Sequence, residues 1–198
     1  MRHRDPAVPF SGLAAGLALL LCAFAAAPAL AAPSIFTASL DGLSESPPNG
    51  STGTGFSQVE FDPVAHTMRV YADFLDLVGT TTVCHIHGPT LVAGSGTAGV
   101  ATTTPTFPGF PTGVTAGTYD QTFDMTQASS YNPSFVTANG GTTASAEAAL
   151  YQALLDGKAY FNLHTTSYGG GEIRGFLQLV DPTPTEQQSW GRIKTMYR

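Results

Sequence analysis

The chain contains 198 residues with a formal net charge of −6, and only 11% of them are charged. Helical bundles and coiled coils need many Glu, Lys and Leu residues, so a composition with 22 Gly and 14 Pro favours a β-rich domain instead. Eight Lys and Arg residues cannot build a basic stripe for phosphates, which excludes nucleic acid as a partner.

The first 31 residues have the pattern of an export signal. A basic start at residues 2–4 precedes an uncharged Ala/Leu stretch at 12–27, and Ala29-Leu30-Ala31 is a small-x-small cleavage site. The apolar stretch is shorter than the about 20 residues of a membrane anchor, which is the alternative. We therefore predict a signal peptide at 1–31 and a secreted or periplasmic protein without a membrane span after cleavage. The mature chain keeps only Cys84, so it forms no internal disulfide.

The rest of the chain is predicted to form short strands separated by turns. Alternating or β-branched runs indicate these strands, and an apolar periodicity at 142–156, ended by Gly157, indicates one short helix. The strands are expected at 35–40, 56–61, 68–75, 80–87, 118–125, 159–165 and 172–180. The Gly/Pro/Thr-rich segment 88–117 is expected to be a loop in which 99–104 could form a further strand.

Strand number and spacing define the expected fold and domain. Seven or eight short strands with turns every eight to twelve residues are typical of an all-β sandwich or barrel. We place this domain at 34–180, with the short helix before the penultimate strand. The tail at 181–198 is rich in Pro, Thr and Gln and then basic, and we expect it to be disordered.

Three histidines are the strongest functional signal. Side chains two residues apart on a strand share a face, so His85 and His87 should lie together, and His164 should face away from Phe161 and Leu163.

If the two strands are neighbours, three imidazoles could bind one copper or zinc ion and leave an open coordination position. Glu172 could serve as a fourth ligand or as a hydrogen-bond acceptor behind a ligand. The same histidines could instead only form hydrogen bonds to the backbone or to carboxylates.

Signatures of nucleophilic catalysis and of nucleotide binding are not found in the sequence. It has no G-x-S-x-G elbow, and the Gly-rich stretch after His87 lacks a strand–helix frame for phosphates. Cys84 and His85 are adjacent on a strand, so their side chains should diverge and cannot form a nucleophile–base pair. We therefore expect no enzymatic activity and no resident organic cofactor.

Three sequence blocks carry a family resemblance: FTASLDG at 36–42, CHIHGP at 84–89, and YFNLHT at 160–165 continuing to GEIRG at 171–175. In this order they resemble the chordin-type (CHRD) domain, in particular bacterial-type secreted single-domain members. The resemblance covers nearly all of the mature chain. It implies an immunoglobulin-like β-sandwich or barrel outside the cell, and it assigns no activity.

Two functional hypotheses follow from the sequence. The first is an exported CHRD-like domain with a non-enzymatic binding or structural role in the cell envelope, with an unknown protein or envelope partner. The alternative is a copper or zinc metalloprotein that could be redox-active in the manner of superoxide dismutases, an enzyme family that the His-x-His strand also resembles. The mature chain has only four histidines, whereas the two-metal site of that enzyme family uses six histidines and an aspartate.

Overall fold

The computed structural model describes Met1 and residues 32–180. Within this part the chain forms eight strands, two α-helices and one short 3-10 helix at Ala128–Ser130. Apart from Met1, the predicted signal peptide lies outside the described residues, as does the predicted disordered tail. The elements are β1 (Ser34–Asp41), β2 (Thr54–Asp62), β3 (Thr67–Leu75), β4 (Thr81–His87), β5 (Gly117–Asp124), α1 (Pro133–Ala138), α2 (Thr143–Leu155), β6 (Tyr160–Thr165), β7 (Ile173–Phe176) and β8 (Gln178–Leu179).

The strands form one curled antiparallel sheet. Its order is β4-β6-β7-β1-β2-β3-β5, and β8 pairs with β1. In β3 the alternate residues from Met68 to Phe74 are buried, which is the pattern of a strand with one face against a core. Val70 of β3 lies opposite Val59 of β2, so buried residues of neighbouring strands meet on one face. The predicted all-β fold class is therefore confirmed.

The long segment between β4 and β5 contributes to the core instead of lying over it as a loop. Phe107 is fully buried, and its ring centroid lies 5.2 Å from that of Phe123 in β5 and 6.3 Å from that of Phe161 in β6. The predicted strand at 99–104 makes only isolated bridges, one of them between His87 and Val100. This segment still covers the outer edge of β4, because Ala101 N donates to the Ile86 carbonyl.

The predicted helix at 142–156 corresponds to α2. Thr142 and Ser145 form a reciprocal capping box at its start, and Gly157 follows its end with a φ of 64°. The sequence did not predict α1, which begins at Pro133 after the capping side chain of Asn132. Because β7 and the two-residue β8 both follow β6, α2 precedes the third strand from the end. None of the helices in residues 32–180 has the length and apolar character needed to cross a bilayer.

Candidate metal centre

The pairing of β4 with β6 places the three predicted histidines together. The two strands are antiparallel, with Cys84 opposite Leu163 and His85 opposite Asn162. Ile86 and Leu163 are fully buried, as the alternation predicts, so the imidazoles lie on the other face of the sheet. Ring centroids are 4.6 Å apart for His85 and His87, 4.9 Å for His85 and His164, and 6.3 Å for His87 and His164.

Each imidazole is oriented by a hydrogen bond from its Nδ1 atom to a backbone carbonyl. His85 bonds to Pro105 O at 3.0 Å, and His87 bonds to Ala98 O at 2.8 Å. His164 bonds to a third carbonyl, that of Gly169, at 2.9 Å. Because a carbonyl oxygen only accepts, each Nδ1 must carry the hydrogen, and in a neutral ring Nε2 then has the free lone pair. This is the arrangement by which proteins orient histidine ligands of metals.

The free nitrogens converge. The Nε2 atoms of His85 and His164 are 3.2 Å apart, and one nitrogen from each of the three rings lies within 4.8 Å of the others. The Nε2 atom of His87 is buried and has no hydrogen-bond partner within residues 32–180. Two ligand nitrogens of one tetrahedral ion, each about 2.05 Å from it, are about 3.3 Å apart. The 3.2 Å distance between the Nε2 atoms of His85 and His164 therefore suits two ligands of one ion.

The surroundings of the histidines favour the neutral rings that a metal requires. Burial is the main cause that lowers the pKa of His85 and of His87 to about 4, and the neighbouring imidazoles act in the same direction. The positive charge of Arg174 also lowers the pKa of His87. Burial lowers the pKa of His164 as well. At neutral pH all three rings are therefore uncharged, and an ion would not have to displace a proton from them.

Glu172, the predicted fourth ligand, does not join the cluster. Its Oε1 accepts hydrogen bonds from Ser51 Oγ and Val78 N, both at 2.6 Å, and its Oε2 accepts from Gly79 N and from Thr165 Oγ1. Thr165 follows His164 on β6, so its side chain lies on the opposite face of the strand. Glu172 precedes β7, and strand alternation therefore does not hold its side chain on the histidine face.

A family model of the CHRD domain matches residues 36–177, which include both histidine strands and the loops around them. The chain belongs to the CHRD family. No curated protein and no solved structure matches the CHRD chain. The family assignment agrees with the curled antiparallel sheet, and it leaves the role of this CHRD domain to be argued from its site.

Four residues that the sequence did not single out as site residues are linked to the imidazoles of the CHRD domain, directly or through one another. The ring of Tyr160 stacks on His87, with centroids 4.7 Å apart and an interplanar angle of 4°. The guanidinium of Arg174 lies 4.8 Å from the centroid of the Tyr160 ring and 3.8 Å from the carboxylate of Glu45. Asn162 lies between His85 and Arg174 in the strand register. Strand alternation places Tyr160 and Asn162 on the same face of β6 as His164, so they could have been chosen as site residues. Glu45 lies in the turn between β1 and β2, where no periodic pattern indicates the direction of its side chain.

Two of these residues have buried oxygens that lack partners within residues 32–180, namely Glu45 Oε1 and Asn162 Oδ1. Both atoms border Gly171, where an added Cβ would lie 2.6 Å from each, and Gly171 has a φ of 127°. Only glycine fits this close approach in that backbone conformation. Burial raises the pKa of Glu45 to about 7, although Arg174 acts in the opposite direction. Glu45 is therefore only partly ionised at neutral pH.

Proposed function

We propose that this CHRD domain is an exported, non-enzymatic binding protein whose ligand is a single copper or zinc ion held by His85, His87 and His164. The observation that carries the proposal is the convergence of three nitrogens whose rings are each oriented by a carbonyl acceptor. Imidazole is a good ligand for both metals, and three such ligands leave one coordination position open.

The alternative is that the histidines serve the fold alone through hydrogen bonds. That alternative accounts for the hydrogen bonds of the three Nδ1 atoms but not for the arrangement of the three Nε2 atoms. Two Nε2 lone pairs at 3.2 Å repel each other unless a proton or a cation lies between them, and His87 Nε2 would stay buried and unpaired. A bound ion satisfies all three nitrogens at once, which favours the metal-binding function.

Metal stoichiometry tests the proposal. The purified protein is stripped with a chelator, dialysed against copper or zinc and analysed for bound metal by mass spectrometry. We expect one equivalent in the wild type and none in the His85→Ala/His87→Ala double variant. His66→Ala is the matched control, because His66 bonds to Glu147 outside the cluster and its variant should keep one equivalent. No stoichiometric metal in the wild type, or equal metal in the double variant, would refute the proposal.

Export is the second part of the proposal, and it rests on the signal-like pattern of residues 1–31. Mass spectrometry of the protein from the extracellular or periplasmic fraction should give a mature chain that begins at Ala32 or Pro33. A full-length chain retained in the cytoplasm would contradict this part and would leave the metal-binding part standing.

A further inference from the structure

The charge around the three histidines distinguishes between candidate ions. The three imidazoles are neutral donors, and within residues 32–180 no carboxylate belongs to the cluster that they form. An ion held there would keep its full charge, apart from what an external ligand could neutralise. The cost of burying a charge rises with the square of that charge, so a dication is penalised about four times as strongly as a monocation.

The nearest carboxylates do not offset the charge of an ion bound by the histidines. Glu172 is held by four donors, one of them Thr165 on the opposite face of β6. Glu45 lies beside Arg174, and its pKa of about 7 means that it carries only part of a negative charge at neutral pH.

Arg174 adds a positive charge to the same face. Its guanidinium lies over Tyr160, the ring that stacks on His87, and it is fixed there by bonds to the carbonyls of Ser44 and Gly96. The repulsion between this fixed charge and an ion at the histidines is proportional to the charge of the ion.

The number of ligands that the cluster offers also favours a monocation over Cu(II) and Zn(II). Cu(II) prefers a tetragonal set of nitrogen and oxygen ligands, and Zn(II) bound by three imidazoles takes an external fourth ligand to complete its tetrahedron. Within the described part of the chain the cluster offers three nitrogens only. Cu(I) carries a single charge and has a filled d shell that imposes no tetragonal geometry, so three imidazoles are a sufficient set for it.

We propose that the ion preferred by His85, His87 and His164 is Cu(I), selected over Zn(II) and Cu(II) by a neutral donor set that faces the fixed positive charge of Arg174. This inference rests on the proposed metal-binding function. It specifies the ion that the site prefers.

Competition with chelators tests the inference on the full mature protein. Under anaerobic conditions with ascorbate, the protein competes for Cu(I) with bicinchoninate, and in separate titrations it competes for Zn(II) and Cu(II) with chelators of known affinity. We expect Cu(I) to bind at least about tenfold more tightly than either dication. Stoichiometric binding in which Zn(II) or Cu(II) is the tighter ion would overturn the inference and leave the metal-binding function intact. No binding of any of the three ions would overturn both.

A charge variant gives a second, quantitative test. Arg174→Met removes the positive charge and keeps the length of the side chain. Because the repulsion scales with ion charge, the fold-gain in Zn(II) affinity should be about the square of the fold-gain in Cu(I) affinity. The matched control is Arg69→Met, since Arg69 lies on β3 and pairs with Asp120. Equal gains for both ions would overturn the role of Arg174. If Arg174→Met does not fold, the ranking of the three ions in the wild type still decides the inference.

Discussion

At the residue scale, two buried glutamates near the histidines have opposite electrostatic environments. Burial acts to raise the pKa of Glu172, but hydrogen bonds from Ser51, Thr165 and two backbone amides outweigh it and hold that pKa below its ordinary value. Glu45 has an oxygen without a partner in the described residues, and burial raises its pKa to about 7. Glu172 therefore stabilises the fold as a carboxylate, whereas ionisation of Glu45 destabilises it.

Glu172→Gln tests the structural role of this carboxylate. The amide group of Gln cannot accept all four hydrogen bonds, so we expect the metal-free protein to lose roughly 1.5–3 kcal/mol of stability at pH 7 in urea denaturation. Because the pKa of Glu172 is lowered on folding, its contribution is present above pH 4.5 and is lost as the pH falls through the lowered value. The bound metal should remain at one equivalent. Loss of the metal from a folded Glu172→Gln variant would show that Glu172 acts as a ligand after all.

Glu45 should make the fold less stable as the pH rises. The folded state holds the proton of Glu45 up to about pH 7, whereas the unfolded state releases it near pH 4.5, so the free energy of unfolding falls between these values. The shift corresponds to at most about 3 kcal/mol. Urea denaturation of the metal-free protein from pH 4.5 to 8 measures the effect as the difference between wild type and Glu45→Gln.

Glu60→Gln is the control for this measurement, because Glu60 is a partly exposed carboxylate paired with Arg69 on the sheet surface. The titration of the histidines is common to all three proteins and cancels in the comparison. A Glu45→Gln variant with the same pH profile of stability as the wild type would contradict the raised pKa of Glu45.

At the scale of elements, alternation predicted most of the sheet. The runs at 56–61 and 68–75 correspond to β2 and β3 within two residues, because a strand with one buried face imposes a period of two on the sequence. The same period predicted which face of β4 and of β6 carries the imidazoles. Segments whose structure depends on distant contacts were not predicted: α1, the buried Phe107, and the position of Glu45 beside Arg174.

Ile86→Ala tests the assignment of the two faces of β4. Ile86 lies between His85 and His87 in sequence, and its fully buried side chain is on the core face of β4. Removing three carbons there should cost roughly 2–5 kcal/mol in chemical denaturation. Val78→Ala is the comparison, because Val78 is 54% exposed and its variant should change stability by less than about 0.5 kcal/mol. A similarly small loss for Ile86→Ala would mean that the faces of β4 are reversed.

At the scale of the whole molecule, the candidate centre joins parts of the chain that are far apart in sequence. His85 and His164 are separated by 79 residues, and the carbonyls that orient the rings come from two loops: Ala98 and Pro105 lie between β4 and β5, and Gly169 lies between β6 and β7. An ion bound by this centre would hold two strands and their covering loops together. Since the unfolded chain cannot present the three nitrogens in this geometry, metal binding must be coupled to the stability of the whole domain.

This coupling predicts a metal-dependent melting temperature. At free metal 100-fold above its dissociation constant, binding to the native state alone adds about 2.7 kcal/mol to the free energy of unfolding. For a domain of about 150 residues this raises Tm by several degrees, measurable by calorimetry, and a chelator should reverse the shift. His66→Ala should retain the shift, whereas His164→Ala should lose it because two imidazoles bind the ion far more weakly than three. A shift of equal size in the wild type and in His164→Ala would show that the metal binds the domain elsewhere.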